Sequence, residues 1–75
     1  MQDWKRIVGS NVRRLRQAKR LTQEALAFSA DIDVTYLRGI EAGRRNPSLM
    51  VLAELADALG SRPNDLLRTS IRSSR

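Results

Sequence analysis

The chain has 75 residues, no cysteine and no histidine, and a formal charge of +6 from 14 basic and 8 acidic side chains. That length suits one small domain, which buries only about 60% of the surface of its unfolded chain. The composition excludes disulfides, Cys or His metal sites, thiol nucleophiles and histidine bases. Hydrophobic residues make up 41%, enough for a folded core, and with a single Trp, Tyr and Phe that core must be mainly aliphatic. Seven basic side chains (Lys5, Arg6, Arg13, Arg14, Arg16, Lys19 and Arg20) fall in the first twenty positions, opposed there only by Asp3. Such an imbalance suits a polyanionic partner, although a basic surface can also serve solubility alone. No apolar run is long enough for a membrane span, and MQDWKRIVGS does not resemble a signal peptide, so a soluble, cytoplasmic protein is expected.

From about Asp3 to Lys19, apolar groups at Trp4, Ile7, Val8, Val12, Leu15 and Ala18 recur at the 3-to-4 spacing of an amphipathic helix, weakened inside by Gly9 and Ser10. Thr22 is placed to cap a second helix, with Glu24 in its first turn and Leu21 before it as a hydrophobic staple. Asp31, Ile32 and Asp33 interrupt that helix, because short carboxylates compete for backbone hydrogen bonds. A third helix begins at Asp33, turns Leu37, Ile40 and Glu41 inward, and leaves Val34, Thr35 and Arg38 on another face. Gly43 can end it in the left-handed region. A fourth helix is expected from about Pro47 to Leu59, capped by Asn46 and Pro47, with Leu49, Leu52, Leu55, Ala56 and Leu59 as its core stripe and Gly60 as its stop. A short fifth helix from Pro63 adds Leu66, Leu67 and Ile71. One domain thus spans 1–69, and 70–75 is expected to fray. The fold class is all-α, five helices joined by short loops.

The segments Leu21-Thr22-Gln23-Glu24-Ala25-Leu26-Ala27, Tyr36-Leu37-Arg38-Gly39-Ile40-Glu41-Ala42-Gly43, Asn46-Pro47-Ser48-Leu49 and Leu55-Ala56-Asp57-Ala58-Leu59-Gly60 occur in one order and at characteristic separations. Together they resemble the phage-repressor and Cro type helix-turn-helix family over about residues 5 to 68. Within it, Asp33-Val34-Thr35-Tyr36 with Arg45-Asn46 looks most like the small controller proteins of restriction-modification systems. Asp31 departs from the family, which mostly has glycine there, and must take up a left-handed conformation that Asp tolerates.

The resemblance implies a five-helix, lambda-repressor-like domain whose helices two and three form the helix-turn-helix, binding duplex DNA as a homodimer on a (pseudo)palindromic operator. An α-helix fits the major groove, so Val34, Thr35 and Arg38 would contact bases, Arg38 through a bidentate bond to guanine and Val34 through a thymine methyl. Arg13, Gln23, Tyr36, Arg44, Arg45 and Asn46 would contact the DNA backbone. Arg45 has the alternative of the minor groove, Tyr36 that of packing against helix two, and Arg38 that of a phosphate clamp or a solvated charge. Arg16 and Glu41 stand where the family has an ion pair. Dimerisation would involve Met50, Val51, Leu66 and Leu67, unless the leucines close the monomer core. RNA polymerase is a further expected partner; no cofactor, metal, membrane or small-molecule ligand is expected. An enzyme has little support, since no pocket motif or phosphate-binding loop is present. The rival reading is an antitoxin, whose main partner is a toxin protein.

Overall fold

Asp3 opens the first helix. In the computed structural model, which describes residues 2–69, its carboxylate accepts the Arg6 backbone N–H at 3.3 Å, and α1 runs Trp4–Ala18. Helix α2, Gln23–Ala30, starts where the Thr22 hydroxyl accepts the Ala25 N–H at 3.0 Å. Helix α3, Val34–Glu41, follows Asp33, whose side chain makes no capping bond. Helix α4, Leu49–Ala58, begins two residues later than Pro47, because the Ser48 hydroxyl caps it by accepting the Val51 N–H at 3.1 Å. Ser48, and not the Asn46-Pro47 pair, is therefore the cap. The described residues contain no strand.

The fifth helix is not an α-helix. Pro63–Leu67 forms a single 3-10 stretch, leaving four α-helices among the described residues instead of five. Two features limit it. Asp65 ties itself back to Arg62, accepting its N–H at 2.9 Å and donating to its carbonyl at 2.9 Å, which gives the i+3 bonding of a tight turn. Beyond it, Arg68 is extended, and the Asn11 amide donates to the carbonyls of Leu66 at 2.9 Å and Arg68 at 2.8 Å. Those carbonyls turn inward to α1 rather than along a further helical turn. Ile71 and the expected tail at 70–75 lie outside the described residues.

All four α-helices end alike. One or two residues past each end the chain turns left-handed (Arg20, Asp31, Gly43 and Gly60, with φ of 59°, 59°, 77° and 65°). The next N–H then reaches back to a carbonyl in the last turn: Leu21 to Arg16 at 3.1 Å, Ile32 to Ala27 at 3.0 Å, Arg44 to Gly39 at 2.9 Å and Ser61 to Ala56 at 2.8 Å. Two of these positions hold glycine, where the conformation is free of Cβ strain; two do not.

The core gathers Val8, Val12, Leu26, Ala27, Ala30, Leu37, Ile40, Leu55, Ala56, Leu59 and Leu66. Ala18, expected on the α1 stripe, is exposed, and the core departs from expectation at three further side chains. Leu49 is 75% exposed and Trp4 50% exposed, whereas Leu66, expected at a dimer interface, is fully buried in the monomer. On α1 the inner face also carries Gly9 and Asn11. A Cβ on Gly9 would overlap the Ile40 carbonyl oxygen and stand 2.9 Å from that of Glu41, so α1 crosses α3 backbone against backbone. Asn11, beside Val12, fastens the segment Leu66–Arg68 to α1, and its own oxygen accepts from Arg14 Nη2 at 2.9 Å. Replacing Asn11 by alanine strands two inward carbonyls and should cost about 2 kcal/mol, lowering the thermal midpoint by roughly 10 °C. An unchanged melting curve would reject this clamp. No described helix is long and apolar enough to cross a membrane.

Candidate nucleic-acid interface

Helices α2 and α3 are joined by the three residues Asp31, Ile32 and Asp33, with Asp31 at φ 59° and ψ 45° turning the chain sharply. Leu26, Ala27 and Ala30 of α2 and Leu37 and Ile40 of α3 bury their side chains in the common core. What remains outward on α3 is Thr35 and Arg38, both exposed, while Val34 is half-buried and packs against the core with part of its surface open.

Beneath this face lies a buried ion pair. Arg16 Nε meets Glu41 Oε2 at 2.7 Å and its Nη2 meets Oε1 at 3.0 Å, a two-pronged contact with the Glu41 side chain 3% exposed. Arg16 Nη1 also donates to the Leu21 carbonyl at 2.8 Å, and Gln23 Nε2 donates to Glu41 Oε1 at 3.0 Å. Every charged atom there has a partner, which is what makes a buried pair tolerable. It links α1, the α1–α2 loop, the start of α2 and the end of α3.

The network continues to the surface. Gln23 Oε1 accepts from Arg38 Nε at 3.3 Å, and Arg38 Nη2 donates to Glu24 Oε2 at 3.0 Å. Gln23, expected to face DNA, thus has both ends of its amide engaged within the protein; one amide hydrogen is left for another acceptor. Sequence reasoning missed this inward role, although the inward-facing Glu41 at the end of α3 was the available signal.

A second assembly forms on the other flank of α3. The Arg45 stem crosses Gly39, where a Cβ would stand 2.6 Å from Arg45 Cγ, and its guanidinium lies 5.7 Å from the Tyr36 ring centre. The room that glycine leaves on α3 is therefore occupied by Arg45, held by its stem and by cation–π attraction. Tyr36 is half-buried, and Arg44, Arg45 and Asn46 are exposed, so the loop carries two positive charges at the edge of α3. Arg13 is exposed on α1, removed from this loop in sequence. Of the side chains expected at a dimer contact, Met50 is 69% exposed and Leu67 42%, and Val51 packs half-buried on the core. Leu49 and Trp4 join the exposed apolar set, as does Phe28, 87% exposed on α2. Trp4 and Leu49 were placed in the core because a 3.6-residue period identifies a stripe without saying which part of it a neighbour covers; Phe28 lay on no stripe.

This all-helical arrangement is a helix-turn-helix fold. The helix-turn-helix family model matches residues 12–66, and the chain belongs to that family. It is 48% identical over 58 residues to an HTH-type transcriptional regulator of Sinorhizobium fredii, y4dJ, covering 77% of this chain and 75% of that one. It is 44% identical over 62 residues to the control protein C.BamHI of Bacillus amyloliquefaciens, covering 81% and 76%. Among solved structures, the restriction-modification controller protein C.AhdI from Aeromonas hydrophila superposes with a TM-score of 0.80 at 44% identity, covering 83% of this chain and 94% of that one.

Proposed function

We propose that the protein is a cytoplasmic, sequence-specific regulator of transcription that binds duplex DNA as a homodimer, and that it serves a restriction-modification operon as its controller. Helices α2 and α3 are its helix-turn-helix, within a lambda-repressor-like domain spanning 1–69. The observation that carries this reading is the open face of α3, with Thr35 and Arg38 outward and the Arg44–Arg45 loop beside it, set on the buried Arg16–Glu41 pair. A helix so placed enters the major groove, where Arg38 donates to a guanine edge, Thr35 to a neighbouring base and the open part of Val34 touches a thymine methyl. Arg13, Arg44 and Arg45 meet phosphates, joined by Tyr36, Asn46 and the spare amide hydrogen and backbone N–H of Gln23. Likeness to control proteins supports the operon assignment.

Two-fold pairing would use the exposed apolar side chains of α4 and the 3-10 helix, Leu49, Met50 and Leu67, with Val51 at their edge. Half-sites then lie about one helical turn apart. The test is selection of bound duplexes from a random pool at two salt concentrations. A palindromic motif should emerge, and six phosphates neutralised per dimer give a slope of log K against log salt of about −5. A pool that yields no motif would reject specific regulation.

A further inference from the structure

We propose that Glu24 is a positioning residue for base recognition: with Gln23 it holds one edge of the Arg38 guanidinium so that the opposite, terminal edge faces the groove. The inference rests on the DNA-binding reading above. A guanidinium has five N–H donors in a fixed plane. Arg38 spends Nε on Gln23 Oε1 and one Nη2 hydrogen on Glu24 Oε2. Both used donors lie on the same side edge. Nη1 and the remaining Nη2 hydrogen form the end-on fork, which is the pair that matches the O6 and N7 acceptors of guanine.

Gln23 cannot turn away, because its own Nε2 is committed to the buried Glu41 carboxylate. Glu24 is the outer support. The Arg38 and Glu24 side chains are 49% and 67% exposed, so their pair adds little to folding. Its effect is on side-chain freedom: a long arginine held in one rotamer loses less entropy on reaching a base. Glu24 also has a cost, since a carboxylate beside a groove repels the phosphates of every duplex equally. A residue that weakens general attraction while aiming the one specific donor favours discrimination over raw affinity.

The test measures binding of the full chain to the selected operator and to its single-base variants, for wild type, R38A, E24A and E24Q. R38A should lose preference at one guanine in each half-site. E24A should melt within a few degrees of wild type and bind mixed-sequence DNA at least as tightly, yet lose about tenfold discrimination at that same guanine and nowhere else. E24Q, which keeps an oxygen acceptor without the charge, should gain the same general affinity and retain the discrimination. The proposal is overturned if E24A discriminates like wild type, if its loss is spread over all positions, if E24Q fails as E24A does, or if R38A changes no base preference. A wild type that selects no motif would instead bring down the DNA-reading assignment and this inference with it.

Discussion

Glu41→Ala is expected to lower the unfolding free energy by about 3 to 5 kcal/mol, the range for removing one partner of a buried ion pair. The loss exceeds that of two hydrogen bonds. Arg16, whose side chain is 12% exposed, would keep only the Leu21 carbonyl, and the Gln23 amide would lose its acceptor. For a domain of this size the thermal midpoint should fall by roughly 20 °C, measurable by circular dichroism or urea unfolding. Replacing both partners together, Arg16→Met with Glu41→Leu, should recover most of that loss, because no charge is then left buried alone. A Glu41→Ala protein that melts like wild type but prefers a different operator would show that Glu41 reads DNA and does not hold the fold.

Gly9→Ala sets two effects against each other. Helix propensity favours alanine inside α1 by about 1 kcal/mol. The methyl, however, would fall on the Ile40 carbonyl and within 2.9 Å of the Glu41 carbonyl, and neither is a flexible side chain that could swing aside. Helices α1 and α3 would have to move apart, loosening the contact that Val8 and Val12 make with Leu37 and Ile40. Net destabilisation of about 3 kcal/mol is expected, at the upper end for overpacking. Urea midpoints of the two proteins decide the matter, and an alanine variant as stable as wild type would mean that the crossing is looser than described.

These two positions mark the limits of what the sequence discloses. Local chemistry was legible where it acts within a few residues: the Thr22 cap, the helix break at Asp31 and the stop at Gly43 each follow from side chains that bond or permit their own backbone, whereas the left-handed turn at Asp31 was implied by the family resemblance. Ser48 was overlooked as a cap because Asn46 and Pro47 offered an equally good signal two residues earlier. Long-range pairings were harder. Gly9 reads as a weak spot in a helix until a second helix crosses it, and Asn11 as an ordinary polar residue until the carbonyls of Leu66 and Arg68 reach it. Leu49 and Leu66 look alike in a leucine-rich segment, yet Leu66 is in the core and Leu49 is exposed, because only the packing of α4 and the 3-10 helix on α1 and α2 decides which side is covered. At the interface the outward placing of Thr35 and Arg38 on α3 could be read from spacing, whereas Val34, placed with them, is half-buried against the core. The link from Glu41 through Gln23 to Arg38 and Glu24 could not, since it joins four side chains from two helices.

The helix ends at Arg20 and Asp31 place two non-glycine residues in a conformation that disfavours any Cβ, by roughly 1 kcal/mol for an ordinary residue and less for Asp. Both side chains are exposed, and they bracket α2. A glycine at either site would relieve that strain without disturbing a core or network side chain. The chain therefore keeps a small reserve of stability, the strain relieved less the greater chain entropy that glycine carries into the unfolded state, enough to compensate only a mildly disruptive change on the outward face of α3. For a small protein with little stability to spare, that reserve sets how freely its DNA preference can drift while the fold survives.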